Sequence, residues 1–214
     1  MAAPRGWRVA WARAAALIVA LALLASAQPP TVAARPALVM DDSVGADLAA
    51  LAEETWEQFL AAFPARQGCV GEVRLRARAT LDARATYDPD ARTVTVRVPG
   101  TPAMLASALL HEWAHHLEFH CPAHVALRPA FLAAQRLPPD TPWRPERAPS
   151  ASSASPWADI PSEQYAEAVV ALVLGGRPVP RHAHLTPEAI RVVGRWAAGV
   201  TRGPGASRPW GRPG

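Results

Sequence analysis

Between residues 72 and 79 apolar and polar side chains alternate without a break, Val73, Leu75, Ala77 and Ala79 against Glu72, Arg74, Arg76 and Arg78. A period of two is that of a half-exposed β-strand. The alternation returns at 92–98, where Val94, Val96 and Val98 oppose Thr93, Thr95 and Arg97, after a turn signal at Asp88-Pro89-Asp90. These segments predict two strands that pair antiparallel across a long connection. Elsewhere the apolar period lengthens to that of a helix. Leu48, Leu51, Trp56, Phe59, Leu60 and Phe63 predict a helix with its N-cap at Ser43 and its stop at Pro64 and Gly68. Thr101-Pro102, an N-cap followed by proline in the first turn, opens a second helix to about Phe119. A third spans Ser162 to Leu174 and ends at Gly175-Gly176. Thr186-Pro187-Glu188 opens a fourth, to about Gly199. Residues 138–161 carry seven prolines and predict a long irregular loop. The expected fold class is α+β, a small antiparallel sheet packed on helices.

The ends read differently. Arg5, Arg8 and Arg13, the uncharged run Ala14 to Leu24, and Ala25-Ser26-Ala27 match a secretory signal with its cleavage site. The run of about 11 residues is shorter than the roughly 20 a bilayer span needs, so no stable membrane span is expected after cleavage. Residues 28–40, rich in Pro and Ala, read as a linker, 41–202 as one domain, and 203–214 as a disordered Gly/Pro tail. Without the first 27 residues, 19 Arg (22 less three) stand against 18 acids. Near-neutrality argues against a nucleic-acid partner. All basic residues are Arg, with no Lys, the codon bias of a GC-rich bacterial genome. In an exported chain, the lone pair Cys69 and Cys121 predicts a disulfide, which would clamp the end of the second helix to the segment before the first strand.

The chemistry concentrates on that second helix, at His111-Glu112-Trp113-Ala114-His115. Four residues advance about 400°, so the two imidazoles leave one face within about 40° of each other. That spacing brings two nitrogens to one zinc ion. Glu112, one residue on, lies beside that face, where it takes a proton from an activated water without becoming a ligand. Ala106, Leu109, Leu110, Trp113 and Leu117 form a separate stripe on the far side, so packing and ligation do not compete. Zinc needs a third protein ligand. A metzincin pattern requires Gly at 118 and His at 121, where this chain has Glu118 and Cys121. Glu163 and Glu167, four apart on the third helix, are the better candidates, one as ligand and the other to accept the free N–H of a ligating histidine. His120, His124, His182, His184, Asp159 and Cys121 remain alternatives for the third position. His116, His120 and His124 read as surface histidines. Trp143 and Trp157 read equally as cleft lining or as a cap on the core.

His111-Glu112-x-x-His115 followed by Glu163-x-x-x-Glu167 resembles the gluzincin branch of the zincin metallopeptidases over about residues 101–175. The resemblance implies a zincin-like fold, Zn2+ as cofactor, His111, His115 and Glu163 as ligands, Glu167 supporting a ligand histidine and Glu112 as general base. Family members also present a Tyr or His to the tetrahedral intermediate, and here Tyr87, His182 and His184 are the candidates. The expected function is an exported, secreted or cell-envelope zinc metallopeptidase acting on a peptide or protein. Its strand at 92–98 is expected to form the edge that pairs with substrate. A non-catalytic exported zinc-binding domain, or a hydrolase of a non-peptide amide, are the alternatives.

Overall fold

The structure, a computed structural model, describes residues 35–145, 157–176 and 184–200 of the 214-residue chain. The signal segment, the predicted tail, His182 and the middle of the proline-rich loop lie outside the described residues. In chain order the elements are β1 (Ala37–Met40), α1 (Ala46–Ala62), the short α2 (Gln67–Val70), β2 (Glu72–Arg78), β3 (Ala85–Asp88) and β4 (Thr93–Arg97). They continue with α3 (Pro102–His120), α4 (His124–Gln135), a single 3₁₀ turn (Trp157–Asp159), α5 (Pro161–Leu174) and α6 (Pro187–Ala197).

The class is mixed α and β, but the sheet is not antiparallel. Its order is β1-β2-β4-β3. β1 pairs parallel with β2 and β2 parallel with β4, while β3 alone runs antiparallel, to β4. Alternation fixes which face of a strand is buried but says nothing of its direction. The long connection between them contains β3, which forms the hairpin with β4 around Pro89 and reverses the chain once more. β4 is therefore an interior strand, and the edges are β1 and β3 rather than 92–98. The predicted linker also ends early, since Ala37–Met40 is β1, hydrogen-bonded along β2.

One face of the sheet is polar. The other carries Val73, Leu75, Val94 and Val96, all fully buried beneath helices. Above them lies α3, whose expected stripe of Ala106, Leu109, Leu110, Trp113 and Leu117 is buried throughout. Trp113 packs edge-on against Trp56 of α1, ring centroids 4.9 Å apart, and against Phe59 at 5.7 Å. Burying each such large apolar side chain contributes about 1.5–3 kcal/mol, which anchors α3 in the middle of the molecule. Thr101 caps it by accepting the Met104 N–H. Ser43 does not cap α1, which starts after Gly45. Its hydroxyl instead accepts the Ala77 N–H and bonds Asp41, tying the β1 end to β2.

Cys69 and Cys121 form the expected disulfide, 52 residues apart, joining α2 to the C-cap of α3. Closing a loop of that size stabilises the fold by about 4 kcal/mol in the chain-entropy account. α4 has no counterpart in the sequence reading. It packs on α6, and with it His124 becomes fully buried rather than a surface residue, enclosed by the rings of Trp143, Tyr165 and Trp196. His116 is fully buried as well, because the polar face assumed for it is covered by β3 and α2.

Candidate metal centre

α3 and α5 lie side by side, and each presents a pair of residues four apart to the other. His111 and His115 meet Glu163 and Glu167 across this contact. His111 Nε2 lies 3.0 Å from Glu163 Oε2 and 3.2 Å from His115 Nε2, and His115 Nε2 lies 3.5 Å from Glu163 Oε2. Three donors bonded at about 2.0–2.1 Å to one tetrahedral zinc ion stand about 3.3–3.4 Å apart. The observed triangle has those dimensions, and among the described residues these three form the one group of possible ligands that converges in this way. Two imidazoles and one carboxylate also suit zinc chemically, so the residues fit the ion.

The other ring nitrogens are held from behind. His111 Nδ1 lies 3.1 Å from Glu167 Oε1, and Glu167 is 2% exposed. Its carboxylate accepts the Nδ1–H, so that in the neutral ring the Nε2 lone pair would be the one facing the triangle. His115 has an equivalent partner that the sequence reading did not assign. Glu118 Oε2 lies 3.2 Å from His115 Nδ1. Arg144 Nη2 is 2.8 Å from the same nitrogen, so Nδ1 donates to Glu118 in the tautomer that carries its proton there and accepts from the guanidinium in the other. Glu118 is itself held by the Trp143 indole N–H at 2.8 Å and by Arg144 through Nε at 2.6 Å and Nη2 at 2.8 Å. Trp143 is thus both core and part of the site's support. The spacing of His115 and Glu118, one helical turn, was the available signal. Trp143 and Arg144 arrive from the proline-rich loop, for which no local signal exists.

The electrostatics follow from this enclosure. Burial works against a charged His111, yet its bonds to Glu163 and Glu167 outweigh burial and raise its pKa. Burial likewise opposes charge on His115, but Glu118 and Glu163 bring it up to about 9. Burial alone would raise Glu118, but Arg144 and His115 hold it down at about 2. Glu163 is lowered by the two histidines against its desolvation. The pocket is an anionic nest that draws positive charge to its centre.

The triangle forms part of the floor of a cleft of about 550 Å³, lined also by Glu112, Phe119, Arg144, Tyr87 and Arg84. One wall is β3. The Arg97 N–H donates to the Arg84 carbonyl, and bonded pairs alternate along an antiparallel ladder. The backbone groups of Thr86 and Asp88 therefore face β4, and those of Ala85 and Tyr87 point to the open edge. Tyr87 turns its hydroxyl elsewhere. His116 Nε2 donates to the Val70 carbonyl at 2.6 Å, so its Nδ1 accepts the Tyr87 O–H at 2.7 Å, and the phenol oxygen accepts from His120 Nε2 at 2.8 Å. The one proton of Tyr87 is thereby used.

The remaining candidates do not join the cluster. Cys121 is in the disulfide, His120 bonds Tyr87, and His124 makes no hydrogen bond. Asp159 is exposed in the 3₁₀ turn, and the backbone carbonyl of His184 is tied to Gln135 near α6. Comparison with protein-family models, with curated proteins and with solved structures finds no match to this chain.

Proposed function

We propose that the protein is an exported zinc-dependent metallopeptidase with a zincin-like, gluzincin-type site. The observation that carries this reading is the 3.0–3.5 Å triangle of His111, His115 and Glu163 on the floor of a cleft that Glu112 also lines. A zinc ion held by those three residues would supply Lewis acidity, lowering the pKa of a bound water and polarising a carbonyl. Glu112 takes one proton from the attacking water as its oxygen bonds to the carbonyl carbon and the π pair moves to the carbonyl oxygen. As that pair returns, the C–N bond breaks and Glu112 delivers its proton to the leaving nitrogen. The products are an amine and a carboxylic acid, which releases the second water proton as it ionises. Glu167 and Glu118 hold the two imidazoles in the tautomer that ligation requires. The backbone groups of Ala85 and Tyr87, unpaired among the described residues, would offer an extended peptide a strand to pair with.

The disulfide supports an oxidising compartment, and no described helix is long and apolar enough to cross a membrane. The test is zinc content of the purified protein together with hydrolysis of a mixed peptide library, with and without chelator. One zinc per chain and chelator-sensitive cleavage are expected. Zinc without turnover would point to a binding domain, and no zinc would end the reading.

A further inference from the structure

A tetrahedral intermediate needs a partner for its negative oxygen, and the side chain expected to serve, Tyr87, has its hydroxyl proton committed to His116. Arg144 has the opposite properties. Its Nε and Nη2 form a two-pronged pair with Glu118, and its guanidinium carbon lies 4.7 Å over the Phe119 ring. Nη1 makes no hydrogen bond among the described residues. The side chain is 38% exposed and lines the cleft. Nη2 lies 2.8 Å from Nδ1 of His115, so the guanidinium stands one imidazole ring away from the ligand triangle.

We propose that Arg144 is a catalytic residue whose Nη1 binds the substrate's carbonyl oxygen as it becomes negative. The inference rests on the hydrolase reading and deepens it. The bond strengthens as charge develops, because a neutral carbonyl gains far less from a guanidinium than an oxyanion does. The group is already fixed when that happens. Glu118 and Phe119 hold the fork in place, so little side-chain freedom is lost on reaction, which is what makes a preorganised donor effective. One buried carboxylate, Glu118, thereby sets the orientation of both a ligand histidine and the cation beside it.

The experiment compares full-length wild type with Arg144→Met and Arg144→Lys, all at saturating zinc. Arg144→Lys keeps a charge for Glu118 and so guards against a folding defect, but has no rigid second prong to extend into the cleft. Turnover is read on N-acetylated, C-terminally amidated peptides, which carry no terminal charge. Both variants should bind one zinc and lose kcat by about 10²–10³-fold, with KM nearly unchanged. A second readout needs no turnover. Methylphosphonate, a small tetrahedral anion, should bind the zinc-loaded variants about 10–100-fold more weakly than wild type by calorimetry. Wild-type kcat in either variant, or unchanged methylphosphonate affinity, would overturn the proposal. So would a loss confined to KM for peptides with a free carboxylate, which would make Arg144 a clamp for a fixed charge. If wild type itself binds zinc but cleaves nothing, the hydrolase reading fails, and the methylphosphonate comparison still judges Arg144.

Discussion

Replacing Glu163 by Gln changes one atom in contact with the centre and removes one negative charge from it. In the folded chain Glu163 Oε2 is the corner shared by both imidazoles, 3.0 Å from His111 Nε2 and 3.5 Å from His115 Nε2. An amide oxygen in that place keeps the shape but is a poor zinc ligand. Apparent zinc binding energies of about 10–16 kcal/mol, divided over three protein donors, assign about 3–5 kcal/mol to each. The loss expected for Glu163→Gln is therefore about 10²–10⁴-fold in zinc affinity. Glu167→Gln touches the same histidine from behind, through Nδ1 at 3.1 Å, and should cost about 10–100-fold. Glu112→Gln lines the cleft without belonging to the triangle. It should leave zinc affinity within a few-fold while turnover falls by about 10²–10⁴-fold. The assay is competition against a zinc-responsive chelating dye, run on the three variants side by side with peptide turnover. The order of zinc loss must be Glu163, then Glu167, then Glu112. Normal zinc affinity in Glu163→Gln would refute the ligand set, and zinc loss in Glu112→Gln would refute the division between ligand and base.

Three further outcomes are expected. Thiol titration of the unfolded, unreduced protein should find no free thiol, and Cys69→Ser should lower the unfolding free energy by about 2–4 kcal/mol in denaturant melts. Trp113→Ala should cost about 3–5 kcal/mol by the same measurement, since the indole is fully buried against Trp56 and Phe59 of α1. Burial holds His124 at about 4, with the nearby charges of Glu118, Arg128, Arg144 and His115 acting as smaller influences. Between pH 6.5 and about 4 the unfolded chain takes up a proton at this ring that the folded chain refuses, so the stability from a neutral His124 is present above 6.5 and lost as pH falls. That loss amounts to about 3 kcal/mol over the window, and His124→Phe should flatten the acid limb of stability against pH by about one proton. An unchanged slope in that variant would remove His124 from the account.

α3 could be read from sequence because its information is local. Thr101-Pro102 fixes its start, period 3.6 separates the stripe of Leu109, Leu110 and Trp113 from the imidazoles, and four-residue spacing sets the two histidines on one face. Glu163 and Glu167 were legible for the same reason, as a matched spacing on another helix. The sheet was legible only in part. β2 and β4 show which side chains point inward, but strand direction depends on the path between them, and β3 has only four residues there, of which Ala85 and Tyr87 alone are apolar. β1 was hidden in a stretch whose Pro and Ala content reads as linker. α4 carries Pro129 within it, which breaks the usual helix signal. Glu118 stands one turn after His115, but its meaning depends on Trp143 and Arg144, brought 25 and 26 residues along the chain by a loop without periodicity.

The arrangement also explains how so polar a helix face can be buried. His111, Glu112, His115 and Glu118 all lie on α3, and all are nearly inaccessible. Left unpaired, each would cost several kcal/mol of desolvation. The structure avoids this by giving each imidazole a carboxylate behind it and giving the His115–Glu118 pair further partners in Arg144 and Trp143. The charged groups are thus stabilised by one another. The two clamps on α3 act at different points. Trp113 fixes its middle against α1, and the disulfide fixes its C-cap, immediately beyond Glu118 and His120. A displacement of α3 along its axis by even one residue, about 1.5 Å, would separate His111 and His115 from Glu163 and Glu167. On this argument the disulfide and the aromatic core set the register between α3 and α5, and with it the dimensions of the His111, His115 and Glu163 triangle.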